Sequence, residues 1–181
     1  MSDYRRVYMG GNTYFFTVVM HRRQTILCND DIRSALRDAI VTTRKIHPFE
    51  IDAWVLMPDH LHCIWRLPEG DANFTTRWAM IKRYVTKQCA AKYQRDDWLN
   101  KSRIKRKEST LWQRRFWEHQ IRDTMDFQRH FDYIHFNPVK HGYISVVKDW
   151  DFSSFHRYVR EGVYCDNWGG SGEVDDDFGE P

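Results

Sequence analysis

The sequence lacks the features that mark membrane, secreted and zinc-stabilised proteins. Its four cysteines are isolated from one another, so no C-x-x-C pair predicts a zinc site and no dense framework predicts disulfides. No apolar run approaches the length of a membrane span, and residues 1–6 contain no apolar segment of the kind found in signal peptides. We therefore expect a protein of the reducing cytoplasm that has no membrane association.

The last stretch of the chain, residues 166–181, lacks lysine and arginine altogether. It carries six of the 25 acidic residues, which leaves 28 basic and 19 acidic residues elsewhere, a formal charge of +9. We predict a basic domain over residues 1–165, suited to a polyanion, and an acidic, glycine-rich flexible tail over residues 166–181. The tail either competes with that polyanion or only keeps the protein soluble.

The rest of the composition is that of one globular domain. The chain has 181 residues, of which 41% are hydrophobic and 29% charged. Aromatic residues reach 15%, more than a core of this size needs, and the surplus rings are candidates for stacking on nucleic-acid bases.

Predicted strands and helices alternate along the chain. A helix over residues 124–137 is expected to stop at Pro138 and Gly142, and residues 94–110 interrupt the pattern as a basic, mobile insertion. Hairpins with intervening helices favour an α+β fold, an antiparallel sheet with packed helices on the ferredoxin-like plan. The remaining predicted elements are strands over 13–20, 49–57, 60–67 and 111–121 and helices over 31–46 and 73–93.

Two histidines stand at alternate positions of the third predicted strand. Because side chains alternate along a strand, His60 and His62 share one face, while Leu61, Cys63 and Trp65 share the other. The apolar face packs in the core. Two adjacent imidazoles have no such role, and a divalent cation bound by both would remove their mutual repulsion. The alternative is a solvated strand face.

The helix over residues 124–137 carries a polar stripe beside its apolar one. Asp126, His130, Tyr133 and Asn137 fall on one side at helical spacing. Tyr133 and Asn137 are one turn apart, so a nucleophile and an oxygen ligand can project together. The alternative is a half-buried tyrosine with its hydroxyl in water.

Together the two patterns describe a reaction at a phosphodiester. A tyrosine hydroxyl has an ordinary pKa near 10, so it must lose its proton to attack, and the charge growing on the phosphate must be neutralised. A metal on His60 and His62 would polarise the phosphate, and the product would be a covalent phosphotyrosine that can be resealed.

These residues resemble the HUH superfamily, specifically the REP-associated branch of its single-tyrosine transposases. The resemblance covers residues 1–168 and rests on an ordered series of motifs. They are Tyr4-Arg5-Arg6, the stretch from Trp54 to Trp65, Arg115-Phe116-Trp117-Glu118-His119, Asp132-Tyr133-Ile134, Asn137-Pro138-Val139-Lys140-His141-Gly142, and the stretch from Trp150 to His156.

The resemblance implies that His60 and His62 are the HUH pair and that Asn137 is the third metal ligand. It implies that Tyr133 forms a 5′-phosphotyrosine and frees a 3′-hydroxyl. It further implies Mg²⁺ or Mn²⁺ as the metal, and single-stranded DNA with palindromic hairpins as the substrate. Some members of this branch work as monomers and other single-tyrosine transposases as dimers; we expect a monomer here.

DNA contacts are harder to place from sequence. Candidates for the DNA backbone are Arg5, Arg6, Arg114, Arg115 and Lys140, although each is equally compatible with a solvated surface charge. Three other functions stay open: a hairpin-binding module without cleavage, a metal-dependent nuclease in which water attacks, and a structural protein whose histidines are incidental.

Overall fold

A computed structural model describes residues 12–169. Within that range the chain forms four strands and five α-helices, joined by short 3-10 turns at 21–23, 96–98 and 147–149. The elements are β1 (Thr13–Val19), α1 (Asp30–Ile46), β2 (Glu50–Leu56), β3 (His60–Arg66), α2 (Phe74–Tyr93), α3 (Lys101–Arg106), β4 (Trp117–Gln120), α4 (Thr124–Lys140) and α5 (Phe155–Arg160). No helix in this range is long and apolar enough to cross a membrane.

The four strands form one antiparallel sheet in the order β2-β3-β1-β4. This order, with a helix between β1 and β2 and another between β3 and β4, is the ferredoxin-like arrangement. Val19 of β1 lies opposite His60 of β3, and Thr17 lies opposite His62. The α+β prediction is therefore confirmed.

The sheet has two packed faces. On one face, Leu61, Cys63 and Trp65 join the apolar core that α1 and α2 cover. On the other face, Ile64 of the same strand joins a second core with Phe131 of α4. His60 and His62 lie four and two residues before Ile64, so their side chains share its face of the strand, the face beneath α4.

Helix α4 does not stop before Pro138, as the sequence suggested, but runs to Lys140 with the proline inside it. Proline removes one helical hydrogen bond, here close to the end of the helix. Gly142 at φ 71° then closes the helix, with its own N–H bonded to Val139 and the next N–H bonded to the Pro138 carbonyl. Gly142 is the stop signal, and Pro138 is not.

Residues 94–110, predicted as a basic, mobile insertion, fold back onto the domain. They contain α3, and Arg103 and Thr110 within them are buried. Arg103 donates to the Ser109 carbonyl and lies 2.9 Å from Nδ1 of His21, while Thr110 Oγ1 accepts from the Arg95 N–H. Polar contacts rather than apolar periodicity order the segment.

The fourth strand is shorter than predicted. Only residues 117–120 pair regularly with β1, although residues 111–121 were expected to form the strand. Before it, Trp112 makes an isolated bridge to Met20, and the Gln113 N–H donates to the Val19 carbonyl at 3.0 Å. The chain thus follows the edge of β1 without a continuous ladder.

Candidate metal and nucleophile site

The two histidines of β3 are held in place by neighbouring side chains. Thr17 Oγ1 lies 2.9 Å from His62 Nδ1, and Asp59 Oδ1 lies 2.7 Å from His60 Nδ1. The ring centroids of His60 and His62 are 4.8 Å apart. With each Nδ1 in a hydrogen bond, Nε2 is the atom through which each ring would bind a metal.

Both rings are buried, so the alternative of a solvated strand face is wrong. His60 is 3% exposed and His62 is 0% exposed. Burial, and then the nearby His60, His141 and Lys140, hold the pKa of His62 well below its ordinary value. A neutral imidazole is the form that binds a metal ion.

Tyr133 packs directly against this pair from α4. Its ring centroid lies 5.4 Å from that of His62, and the Lys140 ammonium lies 4.9 Å from the same ring. Tyr133 is 2% exposed, so it is buried and not the half-exposed tyrosine of the alternative. The fold therefore brings together the tyrosine and the H-x-H motif, which are about seventy residues apart in the sequence.

Asn137 follows Tyr133 by one helical turn and has an unusual environment. It is 0% exposed, yet neither its Oδ1 nor its Nδ2 has a hydrogen-bond partner among residues 12–169. A buried amide without partners costs on the order of 1–3 kcal/mol per group. An oxygen ligand to a cation has this appearance before the cation binds, so Asn137 fits a metal-binding role beside two imidazoles.

A second polar group lies between β4 and α4. His119 Nε2 lies 2.8 Å from Asp126 Oδ2, and His130 Nδ1 lies 3.2 Å from Asp126 Oδ1. The three ligand atoms lie within 4.8 Å of one another, close enough to hold a metal ion. Arg122, however, already donates its main-chain N–H and its Nε to Asp126 Oδ2.

The negative charge of Asp126 is therefore balanced by Arg122 and by hydrogen bonds within this group. Burial by itself would raise the pKa of Asp126, but the hydrogen bonds from Arg122 and His119 outweigh burial. The pKa of Asp126 is therefore lowered to about 2. We interpret the group as a network that ties α4 to β4. Phe15 lies between it and the first site, 4.8 Å from His130 and 5.5 Å from His62.

Sequence reasoning identified part of this network and missed the rest. Asp126 and His130 were assigned to the polar stripe with Tyr133, but the contact of His119 with them was not anticipated. Helical spacing cannot show contacts to another element. The available signal was the Trp117-Glu118-His119 motif. In a strand, His119 shares a face of the sheet with Trp117, while Glu118 points to the other face.

The predicted DNA contacts are only partly gathered near the site. Lys140 lies over the Tyr133 ring, Arg115 is exposed, and Arg114 forms an ion pair with Glu108 at 2.7 Å. Arg5 and Arg6 lie outside the described residues.

Comparison with known proteins finds a matching family and two similar relatives. The family model described as "Transposase IS200 like" matches residues 10–137, a range that contains both histidines, Tyr133 and Asn137. A REP-associated tyrosine transposase of Escherichia coli (strain K12) is 46% identical over 170 residues, 94% of this chain and 92% of that protein. A protein of Haemophilus influenzae is 45% identical over 174 residues, 96% of this chain and 97% of that protein.

A solved structure shows the same similarity in three dimensions. It is a REP-associated tyrosine transposase bound to a REP hairpin, with 46% sequence identity and a TM-score of 0.75. The match covers 97% of this chain and 94% of that one.

Proposed function

We propose how this chain, which belongs to the IS200-like transposase family, carries out its reaction: Tyr133 cleaves one DNA strand and stays attached to it. The observation that carries the proposal is the 5.4 Å approach of the His62 and Tyr133 rings, which come from different elements on the same face of the sheet. A histidine pair next to a tyrosine supplies both a cation site and a nucleophile.

The reaction balances with this chain as the nucleophile. The Tyr133 hydroxyl oxygen forms a bond to phosphorus, the bond from phosphorus to the 3′-oxygen breaks, and the phenolic proton leaves. The 3′-oxygen takes up a proton and becomes a free hydroxyl, while the 5′-phosphate remains on the tyrosine. Attack on the phosphotyrosine by another 3′-hydroxyl reverses these steps and joins two strands.

The residues around Tyr133 define the surroundings of the nucleophile. The ammonium of Lys140 lies 4.9 Å from the centroid of the Tyr133 ring, in a cation–π contact. Thr17 and Asp59 hold the two imidazoles in one orientation. A divalent cation, Mg²⁺ or Mn²⁺, held by His60, His62 and Asn137 would polarise the phosphate and neutralise its growing charge.

The proposed substrate is single-stranded DNA with palindromic hairpins. The support is that a relative of 46% identity has been solved with a REP hairpin. Arg5, Arg6, Arg114, Arg115 and Lys140 stay our candidates for the DNA backbone. Of the three that lie within residues 12–169, Lys140 contacts the ring of the nucleophile.

We also propose that residues 1–165 act as one monomeric domain with an acidic tail over 166–181. One sheet edge supports the monomer, since β2 is covered by residues 152–154. The Leu56 N–H donates to the Phe152 carbonyl and the Ser154 N–H to the Trp54 carbonyl, so strand pairing between two copies is blocked there. The four free cysteines support the reducing cytoplasm as its location.

A denaturing gel tests the proposed chemistry. End-labelled single strands with hairpin-forming repeats from the host genome are incubated with the protein and Mg²⁺ or Mn²⁺, with and without chelator. We expect a metal-dependent DNA–protein adduct in the wild type and none with Tyr133→Phe. Tyr143→Phe is the matched control, because Tyr143 is 47% exposed and lies just beyond the same helix.

The other outcomes identify the remaining functions. Cleavage without an adduct that survives in Tyr133→Phe would indicate a hydrolytic nuclease. Hairpin binding with neither cleavage nor adduct would indicate a DNA-binding module.

A further inference from the structure

A cavity of about 260 Å³ lies between α2, the residues that follow α3 and the approach to β4. We call it the basic pocket, because Glu108 is the only acid among the described residues that line it. Five of its lining residues are cationic: Lys82, Arg83, Arg103, Lys107 and Arg114. It lies on the face covered by α2, away from the histidine pair and Tyr133.

The charges in the basic pocket are only partly compensated. Glu108 pairs with Arg114 at 2.7 Å and with Arg103 at 4.0 Å. Arg103 is 8% exposed and is held by Ser109 and His21, so its guanidinium has a defined position. One carboxylate therefore faces five cations, and an anion entering this cavity would be stabilised.

Lys82 of α2 is a half-buried cation at the wall of the basic pocket. Its Nζ donates to the Gln113 carbonyl at 3.0 Å and lies 5.4 Å from the Phe116 ring centroid. Burial lowers the pKa of Lys82 to about 8, and no carboxylate among residues 12–169 forms an ion pair with it. An ammonium that has lost part of its hydration without gaining a carboxylate binds a phosphate oxygen favourably.

The sheet register gives the position of the basic pocket relative to the metal site. Gln113, the partner of Lys82, is bonded to Val19, and Val19 pairs with His60 on its other side. The backbone of Gln113 is therefore two strand spacings from that of His60, about 10 Å within the sheet, while the basic pocket and the histidine side chains lie on opposite faces. Gln113 and Arg115 are exposed along this edge, so the path over it is open.

We propose that the basic pocket binds backbone phosphates of the substrate DNA at a position separate from the phosphate that Tyr133 attacks. The inference rests on the proposed function for its substrate. The contacts are with phosphates and not with bases, so they position the DNA and carry no sequence specificity.

Two double variants test whether DNA binding depends on the cations of the basic pocket or on the overall positive charge of the protein. The pocket variant is Arg83→Gln with Lys107→Asn. Asparagine is chosen because residue 107 has φ 55°, a conformation that asparagine tolerates. The control variant is Lys105→Gln with Arg106→Gln, which also removes one lysine and one arginine from exposed positions, but from residues that do not line the cavity.

Binding is measured by fluorescence anisotropy across a salt series, with two labelled probes. One is a hairpin with an unpaired 5′ flank, and the other is the same hairpin without the flank. For the pocket variant we expect about tenfold weaker binding at 0.1 M salt and a salt slope smaller by about 1.5, since each lost phosphate contact removes about 0.7–0.9 from it. The control variant should stay within about twofold of the wild type.

The two probes identify which phosphates are bound. A loss confined to the flanked hairpin indicates the single strand, and a loss on both probes indicates the stem. A pocket variant that matches the control variant on both probes overturns the proposal. Failure of the proposed function is seen separately, as absence of the Tyr133 adduct in the wild type, and thermal unfolding of both variants checks that they are folded.

Discussion

The two faces of the sheet are built from the same strands but serve different purposes. Beneath α1 and α2, strand β3 contributes Leu61, Cys63 and Trp65 to a continuous apolar core. Beneath α4, the same strand contributes His60 and His62, both buried and both hydrogen-bonded through Nδ1. One seven-residue strand thus supports the fold with one face and the proposed chemistry with the other.

Burial has the same electrostatic effect on both faces but opposite chemical consequences. It raises the pKa of the Cys63 thiol well above its ordinary value, so the thiol stays protonated and unreactive. It lowers the pKa of His62, so the imidazole stays neutral and able to bind a metal. The comparison teaches that the identity of the side chain, and not its burial, decides which face is reactive.

The largest expected effect is on the apolar face. Trp65 is 1% exposed and stacks on Trp78 with centroids 4.2 Å apart, so Trp65→Ala should reduce the free energy of unfolding by about 3–5 kcal/mol. Urea unfolding measures the change. Trp98→Ala is the control, because Trp98 is only half-buried and should cost within about 1 kcal/mol. Equal costs for the two tryptophans would contradict the contribution of Trp65 to the apolar core.

The next largest effect compares His62 and Cys63, adjacent residues of β3 that point to opposite faces of the sheet. His62→Ala should reduce adduct formation by about a hundredfold or more, since even an outer partner of a metal ligand is worth about ten- to a hundredfold. Cys63→Ala should retain adduct formation and lose stability instead, because Cys63 faces the apolar core. Adduct rates and unfolding midpoints are measured for both variants. Adduct formation at the wild-type level in His62→Ala would contradict the role of His62 as a metal ligand.

The smallest expected effect concerns the pH dependence of the face beneath α4. The folded pKa of Asp126 is about 2, below the unfolded value of about 3.9, so its stabilisation is present above pH 4 and is lost as the pH falls toward 2. Asp126→Asn should therefore be less stable than the wild type by about 1 kcal/mol at pH 7, with the difference shrinking toward pH 2. Unfolding midpoints across this range measure it; a difference independent of pH would contradict the network.

Most of the fold was predictable because it depends on local patterns. The period of two in residues 60–66 and the helical period of Ile32, Leu36 and Ala39 correspond to the faces that the structure buries. The sequence was misleading where local rules compete. Pro138 is a helix breaker by rule, but a helix about to end tolerates it.

The candidate site was predictable in its residues but not in its surroundings. His60, His62, Tyr133 and Asn137 were all named from spacing and resemblance. Their roles stay proposals, while the structure brings Tyr133 and the two histidines onto one face. The contacts of Thr17 with His62 and of His119 with Asp126 were not predicted, because each joins different elements of the fold.

By itself, the sequence determined the alternation that separates histidines from core residues on β3, and the one-turn spacing between Tyr133 and Asn137. Both follow from backbone geometry that any strand or helix imposes. Only the tertiary structure decided that α4 lies over the histidine face, that Asn137 is enclosed without a hydrogen-bond partner among residues 12–169, and that residues 94–110 close a basic pocket. Those outcomes depend on packing between distant segments, which no local period encodes.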